Sequence, residues 1–151
     1  MNQLTYRLTP DYGQLKKKEL WLGLDLTIDG KNPLIAPDAD DFDMRELFLS
    51  VSPKNSDTVF ILTCSCGVPG CAGYFDGIKV SIAEKHVEWI DQDQGFTYCF
   101  TKDLYFETLR ALYKELCDWN FHARSSRLQL RLFPDWHQTK DILKDGAYLL
   151  E

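Results

Sequence analysis

The hydrophobic pattern predicts an α+β fold: an antiparallel meander sheet of about six strands, with one long amphipathic helix packed across one face. Three observations carry this. Leu20, Leu22, Leu24, Leu26 and Ile28 are apolar at every second position, against Trp21, Gly23, Asp25 and Thr27. That is the period of a strand with one buried face. Ile78, Val80 and Ile82, then Val87 and Trp89, then Phe96, Tyr98 and Phe100 repeat the alternation between short polar reversals, as successive hairpins do. Tyr105, Leu109, Leu112, Leu116 and Trp119 fall on a single helical stripe that suits one side of a sheet. A chain of 151 residues is long enough to bury a core and is expected to form one domain, 1–151.

Taken in order, Leu4, Tyr6 and Leu8 mark a first strand, and Pro10 to Gly13 a turn. Lys16, Lys17 and Lys18 suit a solvated loop or a guard on an edge strand. The strand 20–28 ends at Asp29-Gly30, a turn signal. Residues 31 to 41 are rich in Pro and Asp. Asp40 or Asp41 would cap a short helix from Met44 to Val51, stopped by Ser52-Pro53. Thr58 to Thr63 is almost continuously apolar and predicts a central strand covered on both faces. Thr101 is placed to cap the long helix, expected over 102–120. Leu128, Leu130 and Leu132 alternate as a last strand, and a helix of one or two turns precedes Asp145-Gly146.

Composition narrows the function. Hydrophobic content of 44% and aromatic content of 13% fit a folded globular chain. A formal charge of −6 argues against sequence-independent binding to nucleic acid or to an anionic membrane. The first residues hold no apolar signal region, and no window approaches a membrane span. A cytoplasmic location with reduced thiols is therefore expected. Five cysteines, an odd number, do not suit a disulfide framework.

Cys64-Ser65-Cys66-Gly67-Val68-Pro69-Gly70-Cys71-Ala72-Gly73 is the chemically unusual stretch. Val68 to Cys71 fits a type II turn, with Pro69 presetting φ and Gly70 accepting a positive one. Three sulfurs could then point into one small volume. Two readings stand. In one, small residues simply pack a tight strand connection, no cofactor is needed, and the reduced protein carries less than one zinc per chain. In the other, Cys64, Cys66 and Cys71 bind zinc, with His86 or Cys99 as a fourth ligand, since structural zinc prefers four Cys or His donors.

Catalytic signatures are missing. His86, His122 and His137 sit in no nucleophile or metalloprotease pattern, and there is no phosphate-binding or dinucleotide fingerprint. The acidic run Asp38, Asp40, Asp41 and Asp43 lacks the Gly and Glu offsets of a calcium loop. Charge is uneven along the chain: residues 38 to 103 hold twelve acidic against five basic side chains, and residues 104 to 133 hold three against five. That asymmetry points to a non-catalytic binding protein for a basic partner, concretely a bacterial immunity protein masking a cationic toxin. Its contacts would be Asp38, Asp40, Asp41, Asp43, Glu88, Asp91 and Asp93. The alternative is a small metalloprotein or metal-dependent enzyme centred on the cysteines.

From about Thr58 to Trp119 the order of features resembles a group of small uncharacterised bacterial domains. The shared features are an apolar strand, Cys-x-Cys-Gly-x-x-Gly-Cys (Cys64, Cys66, Gly67, Gly70, Cys71), a strand with Val87-x-Trp89, a strand with Phe96-x-Tyr98-x-Phe100, and a helix. The resemblance implies the fold and brings no activity. Cys-x-Cys-Gly also begins a short zinc-binding motif of bacterial secretion ATPases, but the Cys-Cys or Cys-His pair that closes that motif is absent here.

Overall fold

Period-two alternation from Leu20 to Ile28 builds the longest strand of the protein. The computed structural model describes residues 1–33, 41–54, 57–133 and 138–151. In it β1 (Leu4–Asp11) and β2 (Glu19–Ile28) pair antiparallel from Leu4 opposite Ile28 to Asp11 opposite Trp21. Leu20, Leu22, Leu24, Leu26 and Ile28 are all buried. β1 runs through Pro10, where a turn was expected. The missing N–H of Pro10 costs no ladder bond, because β1 is the edge of its sheet. Asp29 and Gly30 both take positive φ, 54° and 76°, the backbone of a tight two-residue reversal.

The chain then forms β3 (Asp41–Phe42) and α1 (Met44–Leu49). The cap of α1 is Asp43, not Asp40 or Asp41. Its carboxylate accepts from the Glu46 N–H at 3.2 Å, which satisfies one of the free donors of the first turn. Asp41 instead pairs with Thr63 in a sheet, and Asp40 lies outside the described residues.

Thr58 to Thr63 is not one central strand. It splits into β4 (Thr58–Val59), at the edge of one sheet, and β5 (Leu62–Thr63), which pairs with β3. The break has a local cause. The backbone groups at the junction go to the start of α1: the Phe60 N–H reaches Glu46, and the Ile61 carbonyl accepts from the Asp43 N–H at 2.8 Å.

β6 (Ile78–Ile82), β7 (His86–Asp91) and β8 (Thr97–Thr101) form the expected meander, antiparallel throughout, with β4 on its outer edge. α2 (Lys102–Ser125) then spans 24 residues, about 36 Å at 1.5 Å per residue. It exceeds the expected end at 120 because Ala123 is still buried. Thr101 occupies the cap position without a side-chain capping bond. This length carries the chain across the sheets to β9 (Gln129–Leu132), which pairs with β2 in parallel. β9 thus joins the β1-β2 ladder and is not a further antiparallel strand of the meander. α3 (Thr139–Gly146) and a 3₁₀ turn end the chain.

The fold is α+β. Its strands are spread over three ladders, ordered β1-β2-β9, β3-β5 and β4-β6-β7-β8, and not over a single sheet. Asn2 joins the first ladder to the third. Its N–H donates to the Cys99 carbonyl and its side-chain oxygen accepts from the Cys99 N–H, both at 2.7 Å. Tyr105, Leu109, Leu112 and Leu116 are buried along α2, while Trp119 is only partly covered. The buried side chains make one continuous core.

Candidate metal centre

The cysteine loop is built from two turns in succession. Leaving β5, the chain closes a first turn with the Gly67 N–H on the Cys64 carbonyl at 2.8 Å, and Gly67 takes φ 81°. Val68 is extended, and Pro69 to Ala72 then form a 3₁₀ turn that Gly73 ends at φ 86°. A type II turn at 68–71 does not form, since Gly70 is not at positive φ. Pro69 instead opens a helical turn, where its lack of an N–H is harmless. That geometry folds Cys71 back onto the first turn. The Val68 carbonyl ties the two together: it accepts from the Cys71 N–H at 3.1 Å, and the Cys64 sulfur lies 3.6 Å from it.

The result is a trio of sulfurs. The Sγ atoms of Cys64, Cys66 and Cys71 all lie within 4.8 Å of one another. Cys64 and Cys66 are bonded through their sulfurs, with Cα atoms 5.4 Å apart, where reduced thiols were expected; Cys71 is free. Cys64 is buried and forms the floor, while Cys66 and Cys71 are exposed.

The turn between β7 and β8 holds the exit of the loop. Asp93 accepts from the backbone N–H groups of Phe75 at 3.0 Å, Asp76 at 3.1 Å and Gly77 at 2.8 Å. Gln92 donates from its backbone to Gly77 and from its side chain to Asp76. Behind it Asp91 is 3% exposed and accepts from the N–H groups of Asp93 and Gln94. Burial raises the pKa of Asp91 above the usual carboxylate range, and the two backbone donors only partly oppose this. The Tyr74 phenol is raised as well, by burial first and then by the nearby Asp91 charge.

The other expected site residues lie elsewhere. His86, expected as a fourth ligand, is not grouped with the three sulfurs. It begins β7 opposite Thr101, five residues from Asp91 and so about 16 Å from the loop-clamping end of that strand. Cys99 pairs with Glu88 across β7 and β8 and bonds Asn2; Cys117 lies on α2. Among the described residues no further His, Cys, Asp or Glu joins the three sulfurs. Of the acidic residues expected to meet a partner, Asp38 and Asp40 fall outside the described residues. Asp43, Asp91 and Asp93 turn their carboxylates inward, onto backbone donors. Asp41 and Glu88 are half-buried on β3 and β7.

The clamp by Asp93 was not foreseen from the sequence. Its only signal is Asp91-Gln92-Asp93-Gln94-Gly95, a turn in which short acidic side chains bind nearby backbone. Comparison of the chain with protein-family models, with curated proteins and with solved structures finds no match. No described helix is long and apolar enough to cross a membrane.

Chemically, the trio suits a thiophilic divalent cation. Zn–S bonds of about 2.3 Å place tetrahedral sulfurs about 3.8 Å apart. Reaching that arrangement requires the Cys64–Cys66 sulfur bond to be reduced and the two sulfurs to separate. The same Cα spacing of Cys64 and Cys66 also falls within the range of a disulfide. One pair of sulfurs cannot do both at once.

Proposed function

We propose that this protein is a small metal-binding domain in which the thiolates of Cys64, Cys66 and Cys71 hold zinc. One observation carries the reading: cysteines separated by one and four residues converge within 4.8 Å on a loop whose two turns are hydrogen-bonded into that shape. Bringing three thiolates together without a cation would set like charges against each other, and a divalent ion removes that repulsion. Zinc would also cross-link a loop otherwise held by turns and by the Asp93 clamp, so its binding energy would add to local stability.

The test is elemental analysis of protein purified under reducing conditions. One zinc per chain is the expected result, falling to near zero in Cys71→Ser. Removing the metal with a chelator should make the 64–73 loop a site of proteolytic cleavage while the far-ultraviolet circular dichroism of α2 stays unchanged. A reduced protein that is metal-free, takes up no zinc on titration and resists cleavage there would overturn the proposal.

A further inference from the structure

The sulfur trio leaves one corner of a tetrahedron unfilled, and its surroundings say what would fit. Resting on the zinc reading above, we propose that the fourth position is taken by a neutral imidazole from outside the chain: the histidine side chain of a partner protein that docks on the cysteine loop. Three features carry this.

The first is ligand count. Among the described residues no fourth donor side chain joins Cys64, Cys66 and Cys71, whereas zinc bound by protein thiolates is almost always four-coordinate. Two of the three cysteines, Cys66 and Cys71, are exposed, so a group from outside the chain can approach them.

The second is charge. A divalent ion with three thiolates is already singly negative. From Asp57 to Ile78 the chain holds two acidic residues, Asp57 and Asp76, and no Lys or Arg. Asp93 is fastened to the loop exit, with Asp91 behind it. A fourth thiolate would add a second negative charge beside these carboxylates. An imidazole adds none, and at this range the difference is worth about tenfold in affinity.

The third is the rim. Val68 is 43% exposed and Phe75 is 74% exposed. The Phe75 ring lies over Gly70, where a Cβ would sit 3.2 Å from it, so both apolar side chains belong to the same loop as the thiols. They offer apolar contact to residues flanking an incoming histidine, which a solvated metal corner alone would not.

The experiment uses full-length reduced protein loaded with Co²⁺, whose visible spectrum reports its ligands. Free imidazole, the blocked tripeptide acetyl-Leu-His-Leu-amide and 2-mercaptoethanol are titrated separately at one pH. Imidazole should shift the visible bands saturably, with half-saturation about tenfold lower than for the thiol. The tripeptide should bind more tightly than free imidazole. A protein lacking His86, His122 and His137 should give the same starting spectrum, which shows that the chain's own imidazoles do not fill the corner.

A spectrum that already shows nitrogen ligation and loses it in the triple-histidine variant would overturn the inference, as would tighter binding of the thiol. A tripeptide no better than imidazole would overturn the docking part. Each of these leaves the zinc reading standing. Absence of any sulfur-to-cobalt charge-transfer band would sink both together.

Discussion

Asp93 holds the backbone of Gly77: its carboxylate accepts the Gly77 N–H at 2.8 Å across a separation of sixteen residues. The other carboxylate oxygen takes the N–H groups of Phe75 and Asp76. Three successive donors on one acidic group form a clamp between the β7–β8 turn and the exit of the cysteine loop. Asp93→Ala should lower stability by about 2 kcal/mol in urea unfolding, less than three isolated charged bonds would give because the group is partly solvated. Asp93→Asn keeps one oxygen for Phe75 and Asp76 but points an amide at Gly77, so its loss should be about half as large. Equal losses for the two variants would show that charge, not the two-oxygen geometry, sets the effect.

Asp91 makes the opposite prediction from a surface acid. Burial raises its pKa in the folded protein above its unfolded value, so the folded state binds the proton more tightly. Its contribution to stability is then greatest below the ordinary carboxylate range, and it is lost as pH rises through the raised value. Both backbone donors use the same oxygen, Oδ1, so Asp91→Asn preserves them. This variant should unfold at equal or higher temperature than the parent at pH 7, and should lack the decline in stability as pH rises above the ordinary carboxylate range. A variant that is markedly less stable at pH 7 would show that the ionised carboxylate is needed.

Gly146 has no room for a methyl group. A Cβ there would lie 2.7 Å from Cδ2 and 2.8 Å from Cε2 of Tyr113. That ring cannot swing away freely, because its hydroxyl donates to the Leu143 carbonyl at 2.8 Å and its edge packs on Phe48. Helix propensity favours Ala over Gly by about 1 kcal/mol, but overpacking costs about 1–3 kcal/mol. Gly146→Ala should therefore be destabilising in thermal unfolding, and Gly146→Ala with Tyr113→Leu should recover part of the loss. A stabilised single variant would mean that α3 shifts to make space.

How much of this was legible depended on what each residue answers to. Leu20 to Ile28 and the α2 stripe were readable, since burial of one face imposes a period that sequence displays directly. The parallel partner of β2 was not: β9 alternates alike in either direction, and its pattern does not say which sheet it joins. Thr58 to Thr63 looked like one strand because apolar residues are needed on both sides of the break; what divides it is the backbone bonding of Phe60 and Ile61 to α1. The cysteines were conspicuous, but their convergence required two turns and a clamp from a segment some twenty residues away. Asp43, Asp91 and Asp93 carried the same letter as solvated carboxylates, and only the backbone donors around them assign their roles.

The link between the layers can be tested at Tyr105, which is 1% exposed. Its hydroxyl accepts from Trp89 Nε1 at 3.1 Å and lies 2.8 Å from Ser50 Oγ, which itself bonds the Leu47 carbonyl at 2.6 Å. Because Leu47 can only accept, Ser50 donates to it, so Tyr105 donates to Ser50. The chain of donors thus runs from β7 through α2 to the C-terminal end of α1. Burial pushes the Tyr105 phenol far above its ordinary pKa, so the hydroxyl stays protonated and the direction of the chain is fixed across the working pH range. Tyr105→Phe removes the middle member and leaves the Trp89 N–H buried without a partner, a loss of about 2–3 kcal/mol. Ser50→Ala removes the acceptor of the Tyr105 hydroxyl together with the donor to Leu47, and should cost about 1 kcal/mol. The double variant should lose less than the sum of the two, because Ser50 no longer matters to Tyr105 once the hydroxyl is gone. Strict additivity in denaturant unfolding, followed by far-ultraviolet circular dichroism, would show that the two bonds act independently.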